Sequence, residues 1–121
     1  MNIEEIRNYC LSKPACTEGT PFGEDTLVFK VFDKMFALLS MSDKLLINIK
    51  CDPEWAIELR GDHPAITAGY HMSKKHWNSV YYNEFFDNEL LIKMIDHSYD
   101  LVASKLKKSQ KEELKKLHSK K

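Results

Sequence analysis

The sequence predicts an α+β domain in which N- and C-terminal helices pack on one face of an antiparallel β-sheet. Three observations predict it. Apolar residues recur at helical spacing at both ends of the chain, at Ile3, Ile6 and Cys10 and again from Leu91 to Leu106. Between Thr26 and Lys50 the period changes to two. Short polar breaks separate these alternating runs, which leaves room for hairpins and none for crossovers. The 121 residues, 43% of them hydrophobic, supply one core.

The elements follow in order. "NIEEIRNYCLS" is the first helix, with Asn2 as its cap, Glu4 and Glu5 in the first turn where they suit the helix dipole, and Pro14 marking its end. "KPACTEGTPFGED" gathers two prolines, two glycines and two threonines and reads as an ordered loop, long for a compact domain. "TLVFKVF", "MFALLSM" and "KLLINIK" read as three antiparallel strands in a meander, turning at Asp33 and Lys34 and again at Ser42 and Asp43. In the third, Leu45, Ile47 and Ile49 form a buried face, while Asn48 and Lys50 point the other way, toward solvent or a site.

"CDPEWAIELRGDHP" is a short helix, with Asp52 as N-cap, Pro53 at the first helical position, Arg60 in the last turn and Gly61 at the end. "MSKKHWNSVYYN" alternates in its later half and reads as a strand or irregular hairpin. The last element, "DNELLIKMIDHSYDLVASKLKK", is an amphipathic helix capped by Asp87 or Asn88, with a lysine-coated extension through Leu114 and Leu117.

The formal net charge of zero hides an asymmetry. Residues 1–104 hold 10 basic and 16 acidic side chains, whereas residues 105–121 hold eight lysines against Glu112 and Glu113. The expected organisation is one domain over 1–104 and a lysine-rich helical extension or tail over 105–121. A basic tail on an acidic body suits nucleic acid or anionic surfaces, although a solvated, mobile tail is the commoner case. Cys10, Cys16 and Cys51 are odd in number and lack C-x-x-C spacing, so neither a disulfide framework nor a zinc knuckle is expected. No run approaches the about 20 apolar residues of a membrane span, and "MNIEEIRNYC" places acids where a secretory signal has positive charge. A cytoplasmic protein without a membrane partner is the expectation.

Three blocks carry a family resemblance: "TPFGEDTLVFKV", "INIKCDPEWAIELR" and "GYHMSKKHWNSV", in this order across most of residues 1–105. The chain resembles the MmcQ/YjbR-like family of small bacterial proteins. That resemblance implies a frataxin-homologue (CyaY-like) fold and carries a suggestion of DNA binding through paired strands, for a family whose biochemical role is open. A shared fold does not transfer frataxin's iron chemistry, and the scattered acids here do not form the dense ridge that iron binding wants.

The stretch around Tyr70 to Asn78, with Lys50 and Arg60, is the candidate site. Lys74 and Lys75 supply phosphate contacts, Tyr70, His76 and Trp77 can stack on bases or sugars, and Asn78 can read a base edge. The bland alternatives are that Trp77 anchors the sheet, that Tyr70 and His71 complete a hydrogen-bonded turn, and that the lysines are solvated. His71, His76 and Cys51 are the groups an enzyme would use, but nothing in their spacing makes them converge, and the phosphate loop, nucleophile elbow, H-E-x-x-H and dinucleotide signatures are absent. His71 and His76 are not at helical ligand spacing, so no metal or other cofactor is expected. The expected activity is a binding module: DNA as leading partner, with a protein or a small anionic ligand on the same surface as the rival.

Overall fold

A computed structural model describes residues 1–69, 72–85 and 87–119. Helix α1 (Ile3–Leu11) begins at Asn2, whose side chain accepts from the Glu5 N–H while Glu5 accepts from the Asn2 N–H, a reciprocal capping box. Strands β1 (Cys16–Gly19), β2 (Thr26–Val31), β3 (Lys34–Ser40) and β4 (Leu46–Lys50) follow as an antiparallel meander. Helix α2 (Pro53–Asp62), strands β5 (Ile66–Ala68) and β6 (Trp77–Tyr81), helix α3 (Asn88–Ala103) and helix α4 (Lys108–Ser119) complete the chain. The strands form one six-stranded sheet in the order β1-β2-β3-β4-β6-β5.

Ile6 and Cys10 of α1, Ala56 and Leu59 of α2, and Leu91, Met94, Ile95, Tyr99 and Val102 of α3 all pack onto Phe29, Ala37, Leu39, Ile47, Ile49 and Val80 of the sheet. The expected α+β architecture, helices on one face of an antiparallel sheet, is therefore the one observed. The last helix divides: α3 ends at Ala103, and α4 starts at Lys108 after a break in which Leu106 is buried. Leu114 ties α4 to the same core, leaving its lysines outside.

Three local readings are corrected. The segment expected to be only loop contains β1, which pairs with β2 from Cys16↔Val31 to Gly19↔Val28. "CTEG" forms this strand through its main chain at a sheet edge, with no alternating apolar face for a periodicity argument to detect. The first hairpin turns at Phe32 and Asp33, one residue earlier than expected, because Val31 pairs with Lys34. Phe32 sits at φ 50°, the positive value that mirror-image hairpin turns require at their first central position. Gly61, expected to close α2, lies inside it, and His63 is the C-cap.

The opposite sheet face carries a smaller cluster of Val28, Leu38 and Trp77, with Met35 and Met72 against it. Asn48, expected to face solvent or a site, is buried on this face and accepts a hydrogen bond from the Ser79 hydroxyl of the neighbouring strand.

Gly69 shows how tightly the chain turns out of β5. Its N–H donates to the Trp77 carbonyl at 2.8 Å, and an added Cβ would stand 2.8 Å from the Trp77 Cβ and 3.0 Å from the Trp77 carbonyl oxygen. Both atoms belong to a paired strand and cannot yield cheaply. Gly69→Ala is expected to lower stability by about 1–3 kcal/mol in urea unfolding; an unchanged midpoint would show that β5 and β6 are looser here than the geometry says.

Candidate functional site

The site is built where β4 runs into α2. On one flank, β4 stays paired with β6: Lys50 lies opposite Trp77, and the Cys51 N–H continues the ladder by donating to the His76 carbonyl at 2.7 Å. On the other flank, the β3–β4 ladder stops at Ala37↔Ile49. The next rung would join Phe36 to Lys50, and the Ser98 hydroxyl of α3 occupies it. It accepts from the Lys50 N–H at 2.9 Å and donates to the Phe36 carbonyl at 2.5 Å. One residue earlier on α3, His97 Nε2 accepts from the Asp52 N–H at 3.1 Å.

Asp52 then caps α2, its carboxylate accepting from the Glu54 and Trp55 N–H groups, and Pro53 takes the first helical position where no N–H is needed. The Trp55 ring meets His97 edge-on, with centroids 4.7 Å apart. Strand end, helix start and α3 are thus locked together.

Over this junction opens a cleft of about 330 Å³, lined by Lys50, Cys51, Asp52, Pro53, Ser73, His76, Trp77, Leu101 and Lys105. Of the residues singled out by sequence, Lys50, Cys51, His76 and Trp77 meet here, so Cys51 and His76 share one cleft although their spacing gave no reason to expect it. Lys74 and Lys75 are exposed in the loop between Ser73 and His76, both of which line the cleft. Tyr70 and His71 lie outside the described residues.

Asn78 and Arg60 do not join them. Asn78 is 2% exposed, with its Nδ2 donating to the Ala56 carbonyl, so a base edge has no route to it. Its Oδ1 has no hydrogen-bond partner among the described residues. Arg60 turns back along α2, where its Nε donates to that same Ala56 carbonyl at 3.1 Å. Trp77 is 9% exposed and packs with Val28 and Leu38, so its ring forms a wall and not a stacking platform.

Sequence reasoning missed Lys105, Ser98 and His97, while Ser73 falls within the stretch it singled out. For Lys105 a signal existed, since it is the first lysine of the basic run; for Ser98 and His97 there was none, because their role is to bond the backbone of a distant strand.

The thiols are protonated near neutrality: burial pushes Cys51 up to about 11, Cys16 up to about 11 and Cys10 up to about 12. Cys51 is a wall of the cleft and lacks the thiolate that nucleophilic attack uses. Among the described residues no three His, Cys, Asp or Glu side chains are grouped to hold a metal ion. The cleft brings two ammonium groups and an imidazole into one space with the single carboxylate of Asp52.

The sequence profile of the YjbR family matches residues 11–101. The Escherichia coli O157:H7 "Uncharacterized protein YbdF" is 38% identical over 106 residues, covering 87% of each chain. The Escherichia coli K12 "Uncharacterized protein YjbR" is 27% identical over 107 residues, 88% of this chain and 91% of its own length. The crystal structure of Deinococcus radiodurans protein DR2400, a DUF419 domain, superimposes with a TM-score of 0.85 at 39% identity, over 93% of this chain and 87% of that one. A Pseudomonas syringae protein structure gives 0.74 at 29% identity, over 84% of this chain and 99% of its own.

The His97 contact predicts a pH dependence. Only a neutral imidazole accepts the Asp52 N–H, and burial lowers the His97 pKa below its ordinary value even though Asp52 and Asp100 pull the other way. The folded state therefore binds this proton less readily than the unfolded chain. The contribution is complete above the unfolded value of about 6.5 and is lost as pH falls through the lower folded value. Urea unfolding at about pH 7.5 and about pH 5.5 is expected to show a loss of stability at the lower pH that is smaller in His97→Gln, whose amide oxygen accepts at either pH. An identical loss in the variant would contradict the assignment.

Proposed function

The chain belongs to the YjbR family, and from that membership we propose that it is a binding module that holds nucleic acid by its phosphate backbone, through Lys50, Lys74, Lys75, Lys105 and the lysines of α4. One observation carries the reading. Lys105, the first lysine of the basic tail, lines the same cleft as Lys50 and His76. Lys50 and Lys105, far apart in sequence, thus stand at one cleft, which supports a single basic surface running from the Lys74–Lys75 loop to α4. Phosphate binding needs such a surface more than it needs a particular side chain, because its affinity comes from neutralising several charges and releasing their counterions.

The acidic excess of residues 1–104 does not oppose this if it lies elsewhere. Glu4 and Glu5, for example, border a separate groove floored by Met1, Ile3, Leu45 and Tyr82. At physiological ionic strength, charges more than about 8 Å apart are largely screened from one another. The local excess of lysine at the cleft then decides the sign that a phosphate meets. With Trp77 and Asn78 inside the protein, contacts fall on phosphates and sugars, and such contacts fix position more than they read sequence.

Labelled duplex and single-stranded DNA titrated across a salt series tests the proposal. Affinity is expected to fall linearly in a log–log plot. Lys74→Ala/Lys75→Ala is expected to weaken binding and to reduce the slope by roughly 0.9 per lost phosphate contact, about 1.8 for the pair. A chain that binds neither form at low salt, or whose binding ignores salt, contradicts it.

A further inference from the structure

The cleft carries a narrower reading, which rests on the nucleic-acid proposal. We infer that it receives the terminal phosphomonoester of a nucleic-acid strand, while Lys74, Lys75 and the lysines of α4 hold the phosphodiester backbone outside it. Size is the first argument. At about 330 Å³ the cleft stands at the lower end of small-ligand pockets, with room for a phosphate and its sugar and none for a base-paired stack. A phosphate in mid-strand must bring both flanking sugars with it, whereas a terminal phosphate enters a concave site as a plug.

Charge is the second argument. A terminal phosphomonoester carries about −1.5 to −2 near neutrality, against one negative charge for each backbone diester. Lys50 approaches from the end of β4 and Lys105 from the segment after α3, so two ammonium groups on separate elements line one small space beside His76. That matches a dianion better than a monoanion.

Asp52 is the opposing charge, and its Oδ2 is committed to the Glu54 and Trp55 N–H groups of its own helix cap. The backbone donors at the mouth are also engaged, Cys51 by the His76 carbonyl and Asp52 by His97. Recognition therefore falls to the lysine and histidine side chains. Pro53, Trp77 and Leu101 provide the apolar wall on which the terminal sugar rests.

The test compares one internally labelled duplex in four forms by fluorescence anisotropy: 5′-phosphorylated, 3′-phosphorylated, bearing hydroxyl ends, and closed by loops so that it has no ends. A phosphorylated form is expected to bind roughly tenfold more tightly than the hydroxyl and closed forms, the worth of one additional charge-assisted contact. Lys105→Gln and Lys50→Gln are expected to erase that preference; Lys105 is exposed, so its variant keeps the fold. Lys74→Ala/Lys75→Ala is expected to weaken all four forms and keep their ratio. Inorganic phosphate is expected to compete away the advantage of the phosphorylated end.

Equal affinity for all four forms overturns the end-phosphate inference and leaves backbone binding standing. A preference that survives both cleft substitutions overturns it by locating the site elsewhere. A nucleoside monophosphate that binds the cleft when phosphorylated ends gain nothing assigns the site to free nucleotides and also overturns it. Failure to bind any form removes the inference and the nucleic-acid proposal together.

Discussion

The Ser98 hydroxyl is the constraint on which the candidate site depends. It stands where the β3–β4 ladder would have its next rung, accepting from Lys50 and donating to Phe36. A buried backbone donor or acceptor left without a partner costs about 1–3 kcal/mol. Two such groups weigh heavily against a domain stability of about 5–15 kcal/mol. By satisfying both, Ser98 lets β4 part from β3 without penalty and turn directly into α2, while Cys51 keeps its bond to His76 on the other side. His97 secures the next available N–H, that of Asp52. Two consecutive residues of α3 thus hold the strand-to-helix junction that forms the floor of the cleft.

From that junction the charge arrangement follows. Lys50 ends a strand whose partner residue is Trp77, so the buried ring and the lysine share one sheet face, and the aromatic side chain becomes the wall against which the basic groups stand. The loop before Trp77 is anchored at Gly69, where the backbone of β6 leaves no room for a side chain. Lys74 and Lys75 are carried at the cleft edge as a consequence. Lys105 arrives from the opposite end of the chain because α3, already fixed by Ser98 and His97, ends close by. The Ser98 contact therefore bears on the placement of Lys50 and Lys105, and the tight turn at Gly69 on that of Lys74 and Lys75.

Much of this was legible in the sequence, and the physical reason differs from element to element. Asp52-Pro53 marked the start of α2 because an N-cap and a proline at the first helical position are local requirements. Ile47 and Ile49 showed the buried face of β4 because its period is imposed by the core. Strand β1 was invisible because an exposed edge strand pairs through its main chain alone. Asn48 and Asn78 were expected at a surface because both are polar; burial could be known only once Ser79 and the Ala56 carbonyl were placed beside them. The cleft had the same character. Lys50 and His76 were recognisable as basic residues, but their meeting with Lys105 depends on the long-range contacts of α3 with the sheet. Periodicity reports on a residue's own element and is silent about which elements meet.

If the junction cleft and the lysines around it form the binding surface, DNA perturbs those residues first. Amide chemical-shift mapping of the full chain against a short DNA duplex tests it most directly. Shifts are expected to concentrate at Lys50, Cys51, Ser73 to Trp77, Lys105 and the lysine face of α4. Shifts centred on Glu4, Glu5, Leu45 and Asn83 around the other groove, or a spectrum unchanged at low salt, would contradict it.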